Sequence, residues 1–157
     1  QLAAEHTDGV FMYMQPNTAV RAAREILGTD KQLHAVIRCI CIDDQDRGRD
    51  IARRALAFYL QLPAYHNAWR AAGFDESDWA QGGSDRLIDA ICPCGDPELI
   101  REYAAAVIDS GASHIILSPC HPAEEYDGVS SSPLMWDWNL LEALAPAQQA
   151  SEKTNHS

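Results

Sequence analysis

Positive charge is scarce in this chain. Its 157 residues carry 12 Lys and Arg against 23 Asp and Glu, a formal charge of −11 at pH 7. A nucleic-acid binder needs a basic face to neutralise phosphates, so that class is excluded. Long apolar runs are missing too, and none reaches the roughly 18 residues that a membrane span requires. No basic start leads into an apolar stretch, so no secretory leader is expected and a cytoplasmic location is. The chain opens on Gln1, inside the helix-like "QLAAEH", and we expect an N-terminal portion of a longer protein to precede it. Internal repeats, low-complexity stretches, phosphate loops and dinucleotide fingerprints are absent. "GGSD" (82–85) looks like an anion cradle ahead of a helix, but Asp85 has the wrong charge for one. Ser84 reads better as a helix cap.

Cysteine is present in an odd number: Cys39, Cys41, Cys92, Cys94 and Cys120. A secreted disulfide framework favours even counts, so reduced thiols are the better reading.

What is present is an ordinary soluble composition, 46% apolar and 22% charged, sized for one domain with one core. "DGVFMYM" (8–14) reads as a buried strand. A helix follows over 17–28, with Asn17 or Thr18 able to cap it and Gly28 as its stop. "LHAVIRCICI" (33–42) is nearly continuous in apolar residues, as a strand covered on both faces should be. "DDQD" then supplies acids to a helix start. That helix runs over 47–62 to Pro63, with Gly48 as a weak point, and a second helix covers 64–72. Residues 75–85 form a loop with a helical turn, and Ser84 caps 85–91. Asp96, Pro97 and Gly111 punctuate a helix over 95–111. "SHIILS" (113–118) is a third buried strand, and "PLMWDWNLLEAL" (133–144) a closing helix. The domain is expected over 1–144, with 145–157 a disordered tail.

Strands alternating with helices imply parallel pairing through right-handed crossovers. Three strand–helix units are an arc of a doubly wound sheet or of a (β/α)8 barrel, and three strands cannot close a barrel.

Several stretches then resemble one family in order. "LAAEHTDGV", "AREILG", "ARRALAFYLQLPAYHNAWRAAGF", "GGSDRLIDAICPCGD" and "GASHIILSP" are similar to successive segments of luciferase-like monooxygenases. The nearest likeness is to the subgroup that uses the deazaflavin coenzyme F-420. The resemblance implies an α/β chain forming the C-terminal part of a (β/α)8 TIM barrel, about three parallel strands with helices, incomplete by itself. It implies a flavin- or deazaflavin-dependent oxidoreductase or monooxygenase, with coenzyme F-420 or FMN moving a hydride or oxygen to or from a small-molecule substrate. It further implies that the enlarged helical segment after the second strand lies over the substrate side. One departure is "CPC" (92–94), where Pro93 should break the helix.

Chemistry in such a fold collects at the C-terminal ends of the strands. Those ends bear Tyr13, Met14 and Gln15; Asp43 and Asp44; and Ser118, Cys120 and His121. Asp43 and Asp44 read as the start of a helix, His121 as a loop residue, and Gly9 as a tight turn. Ser118 and Cys120 are candidates to donate to a phosphate or ring edge. Phe58, Tyr59, Leu62, Tyr65 and Trp69 recur at helical spacing, and such a stripe usually packs against the core. The competing reading is that Tyr13, Tyr65, His66 and Trp69 line a pocket for a flat cofactor or apolar substrate. The family's catalytic residues lie mostly on earlier strands, so none is carried over and the chain alone is expected to be inactive.

Two alternatives stand beside this. One is a non-catalytic, flavoprotein-like subunit or interaction module whose open edges are covered by a partner, a homo-oligomer among the arrangements. The other is a Cys/His metal-binding protein built from Cys39, Cys41, Cys92, Cys94, Cys120 and His121, although the usual two-residue gap between paired ligands is missing.

Overall fold

The computed structural model describes residues 5–123 and 137–145. The elements, in chain order, are β1 (Gly9–Tyr13), α1 (Asn17–Leu27), β2 (Gln32–Cys41), α2 (Gln45–Leu56), a 3₁₀ turn (Tyr59–Gln61) and α3 (Pro63–Ala71). There follow α4 (Glu76–Trp79), a second 3₁₀ turn (Ala80–Gly82), α5 (Asp85–Ile91), β3 (Cys94–Gly95), α6 (Pro97–Asp109), β4 (His114–Pro119) and α7 (Trp138–Leu144). All strand pairs are parallel, and all of them involve β2. Gln32 N–H donates to the Asp8 carbonyl on one edge of β2, whereas Ser113 N–H reaches Leu33 on the other. Ile40 and Ile42 donate to the Pro93 and Gly95 carbonyls. Backbone polar groups alternate sides along a strand, so these even-numbered residues place β3 on the β1 edge, beyond the end of β1. The order is therefore β1, β2, β4, with β3 a short extension. Among the described residues the outer edges of β1 and β4 carry no strand, so the sheet is an open arc.

The two faces of β2 differ because side chains alternate. Leu33, Ala35, Ile37 and Cys39 face a layer formed by Val20 and Leu27 of α1, Ile100 and Val107 of α6, and Leu140 of α7. Register places Phe11, Tyr13, His34, Val36, Arg38, His114, Ile116 and Ser118 on the opposite face. Towards the N-terminal ends of the strands that face is open: Phe11 is 63% and Ile116 38% exposed. Towards the C-terminal ends it is closed by a second cluster, in which Met14, Ile40 and Cys120 pack with Ile51, Leu56, Trp69, Ile88 and Cys92. The segment between β2 and β3 supplies that cover.

Four details depart from the sequence reading. Asn17 and Thr18 do not cap α1; Pro16, extended at φ −67° and ψ 158°, is the cap residue, and its carbonyl accepts from Ala19 and Val20. The helix expected to run to Pro63 stops at Leu56, and a 3₁₀ turn follows. The residue before a proline is pushed out of the helical region, and Leu62 sits extended at φ −87°, ψ 120°. Pro93 does end α5, but the chain then pairs with Ile40 and Cys41, adding a fourth strand to the three expected. Proline lacks a donor yet keeps its carbonyl, which here accepts from Ile40 at 3.1 Å. Of the closing helix, 133–136 lie outside the described residues, as do 146–157 of the tail; Asp137 caps α7 by accepting from Leu140 N–H at 3.1 Å.

The fourth departure is Gly48. It reads as a helix weak point in sequence, but it is the contact between α2 and the sheet. A Cβ there would lie 2.7 Å from Cys94 Cβ and 2.9 Å from Ile42 Cγ2. Only a hydrogen fits, so α2 approaches β2 and β3 closely. Gly48→Ala should gain about 1 kcal/mol of helix propensity and lose about 1–3 kcal/mol to overpacking. The expected net result is a lower denaturation midpoint in urea; an unchanged or raised midpoint would refute the close approach.

Candidate functional site

The strand ends converge on Arg38. It is the single charged side chain within the apolar run of β2, and it is 2% exposed. Its Nε and Nη2 donate to Cys120 Sγ at 3.2 and 2.7 Å, and its Nη1 donates to Tyr13 Oη at 3.1 Å. Cys120 is fixed at the end of β4 by its N–H, which donates to the Cys39 carbonyl at 2.8 Å. Tyr13, Arg38 and Cys120 thus tie β1, β2 and β4 together on one face. Burial pushes the Tyr13 phenol up to about 12, against the opposing pull of Arg38. Burial also opposes the Arg38 charge, but the Cys120 sulfur and Tyr13 oxygen more than offset it, leaving its pKa above the usual arginine range.

A chain of rings leads away from Tyr13. Its centroid lies 5.6 Å from that of Tyr59, edge-on; Tyr59 lies 5.6 Å from Tyr65, and Tyr65 lies 5.5 Å from Trp69. His66 is 6.2 Å from Trp69 and stacks on Trp79 at 4.8 Å with an interplanar angle of 12°. Trp69 is fully buried, and its Nε1–H donates to the Met14 carbonyl at 3.0 Å. Met14 is left-handed at φ 51°, a conformation costing about 1–2 kcal/mol in a non-glycine residue. The Trp69 bond and the packing around Met14 hold the sharp exit from β1. The His66 ring sits 2.7 Å from the Leu60 carbonyl through Nε2.

The structure thus brings Tyr13, Tyr65, His66, Trp69 and Cys120 into one packed assembly. Ser118 lies in register with Arg38, half-buried on the same face, but makes none of these contacts. Tyr65 and Trp69 pack in the core as the stripe reading expects, whereas Phe58 is 49% exposed and leaves the stripe. Asp44 caps α2 through Arg47 N–H at 3.1 Å, and Nδ1 of His121 accepts from Ala123 N–H in its loop. Sequence reasoning missed Arg38. The available signal was its charge, an arginine in a strand otherwise read as buried on both faces.

Two clefts open beside this assembly. One, of about 400 Å³, lies past the ends of β2 and β3 and is lined by Asp43, Asp96, Glu98 and Glu102. The other, of about 310 Å³, lies between Pro16, Thr18, Phe74, Arg86 and Tyr103. Arg86 closes it by lying 4.3 Å over the Phe74 ring and donating to the buried Asp78 carboxylate at 2.7 Å. Asp78 also accepts from Ser84 Oγ at 2.8 Å and Asp75 N–H at 3.0 Å, so one carboxylate joins α4 to α5. The cysteines are free and divided: Cys39 and Cys41 belong to one packed cluster, Cys92, Cys94 and Cys120 to the other. Among the described residues no group of three His, Cys, Asp or Glu is placed to hold a metal ion. Among them, too, no helix is long and apolar enough to cross a membrane.

No protein-family model matches the chain, and no curated protein matches its sequence. Solved structures do match its fold. The coenzyme F420-dependent tetrahydromethanopterin reductase from Methanopyrus kandleri aligns with a TM-score of 0.55 and 14% identity, over 80% of this chain and 43% of its own. An F420-dependent secondary alcohol dehydrogenase, in complex with an F420–acetone adduct, aligns with a TM-score of 0.53 and 10% identity, over 92% of this chain and 45% of its own. The chain spans less than half the length of either. At such identities the likeness is one of fold: parallel strands backed by helices, aligned with a part of each longer neighbour.

The site makes two stability predictions. The Tyr13 phenol holds its proton more tightly folded than unfolded, so the unfolded state loses that proton first on raising pH. Stability contributed by Tyr13 is therefore complete below pH 10.0 and declines towards about 12. Tyr13→Phe should flatten this alkaline decline in pH-dependent urea melts; an unaltered slope would show that Tyr13 does not carry it. Trp69→Phe keeps most of the ring but strands the Met14 carbonyl, and should lower stability by about 1–3 kcal/mol.

Proposed function

We propose that the chain is part of an F420-dependent oxidoreductase of the luciferase-like type, acting in the cytoplasm on a small-molecule substrate. The observation that carries this reading is the placement of the aromatic segment. The turn and helices between β2 and β3 close the C-terminal ends of β1, β2 and β4, the end of a parallel sheet where α/β enzymes build their sites. Two solved structures similar to it in fold are F420-dependent enzymes, which favours the deazaflavin over FMN. When bound, a deazaflavin supplies hydride transfer.

The residues present do not fit that cofactor on their own. Tyr13, Trp69 and His66 turn their polar atoms inward, to Arg38, Met14 and Leu60. The cleft at the ends of β2 and β3 carries four carboxylates, which repel a phosphate-bearing group. No step of the reaction is therefore assigned to this chain. Its part is the wall and cover of a site whose grip on the cofactor lies in further βα units.

The exposed Phe11 and Ile116 on the open face favour a second reading, an interaction module whose sheet is completed by a partner, a second copy included. Light scattering on the purified chain tests it: self-association supports exposed edges, and a stable monomer speaks against them.

For the enzyme reading, the chain should not quench the fluorescence of coenzyme F420. The same chain preceded by the coding sequence upstream of Gln1 should quench it and support substrate-dependent change in deazaflavin absorbance. Tight binding by the chain alone would overturn the division of labour, and no binding by the extended protein would overturn the function.

A further inference from the structure

His34 of β2 and His114 of β4 lie at the end of the sheet opposite the Arg38 assembly. They are register partners on neighbouring parallel strands, so both side chains leave the sheet on the same face. Their ring centroids are 5.5 Å apart, with an interplanar angle of 53°. Among the described residues neither ring makes a hydrogen bond, so the ring nitrogens of both are free for another partner. His34 is half-buried and His114 exposed, on the open part of a face that is otherwise apolar there, with Phe11, Val36 and Ile116 around them. A cleft of about 370 Å³ runs beside His34, and the Asp8 carboxylate in its lining favours a cation.

We propose that His34 and His114 form a two-histidine site for a divalent ion of the zinc, nickel and copper class. Imidazole is a ligand of choice for these ions. Two imidazoles held through nitrogen at about 2.0–2.1 Å and a roughly tetrahedral angle have ring centres about 5 Å apart. The 5.5 Å seen here is a small side-chain adjustment away from that. Much of the preorganisation comes from the backbone, because the strand pairing already sets the two histidines side by side. Among the described residues no third His, Cys, Asp or Glu completes the set, so water fills the remaining positions and the ion is exchangeable. A bound ion ties β2 to β4 at the end that the Arg38 assembly leaves unlinked. The site does not depend on the oxidoreductase reading.

The test titrates the full chain, its histidine rings labelled with nitrogen-15, with Zn²⁺ alone at neutral pH and follows the ring signals by magnetic resonance. Zinc should move the His34 and His114 rings together, in one saturable step. His34→Ala and His114→Ala should each weaken the response of the remaining ring about tenfold or more, because the second imidazole then no longer binds intramolecularly. The signals of the untouched histidines report that each variant keeps its fold. His6→Ala and His121→Ala should leave the step unchanged. Movement of only one ring of the pair, or of neither, overturns the site on the parent chain alone. So does a zinc affinity that survives either single substitution. No coenzyme enters the measurement, so its failure is distinct from failure of the oxidoreductase reading.

Discussion

Every strand in the described sheet pairs with β2, and that one strand sets the architecture. Its ten residues carry β1 along one edge, β4 along the other, and the two-residue β3 beyond the end of β1. A strand flanked in this way must satisfy neighbours on both edges and both faces, which is why its sequence is apolar almost throughout. Helices α1, α6 and α7 bury one face. The other is divided lengthwise, open where Phe11 and Ile116 stand and sealed where Ile40 meets the helices after β2. The close seating of α2 depends on the missing side chain at Gly48, and with it the position of everything between β2 and β3.

Charge enters this apolar frame at Arg38. The guanidinium reaches Tyr13 at the end of β1 and Cys120 just past the end of β4, so one buried cation links three chain segments remote in sequence. The ring sequence from Tyr13 through Tyr59 and Tyr65 to Trp69 then connects the same point to the covering helices. Polar interiors of this kind are high in consequence, because each member loses its water as well as its partner when one is removed. The assembly stiffens the C-terminal end of the arc while the N-terminal end stays exposed. That asymmetry is consistent with the wall-and-cover role proposed above.

Local rules made much of this legible. Asp44, Ser84 and Asp96 cap helices as their sequence positions indicate, each through a side chain accepting a backbone N–H. The apolar runs at β1, β2 and β4 identify themselves by continuity, and their alternation with helices specifies parallel pairing. The failures are equally local. Pro16 replaced Asn17 as the cap of α1, and the helix expected to reach Pro63 gave way after Leu56 to a 3₁₀ turn that ends at the extended Leu62 before that proline. Strand β3 had too few residues to show a period.

The sequence by itself determined the class of fold, the order of its units and the acidic character of the surface, because these depend on composition, periodicity and capping within short windows. Tertiary structure alone decided that Gly48 is a contact rather than a flaw, and that the five cysteines fall into two clusters. It alone brought the guanidinium of Arg38, 82 residues away in sequence, onto the sulfur of Cys120. Windows of a few residues cannot show which side chains a strand crossing will bring into hydrogen-bond contact, and the electrostatics of a buried charge depends on that meeting.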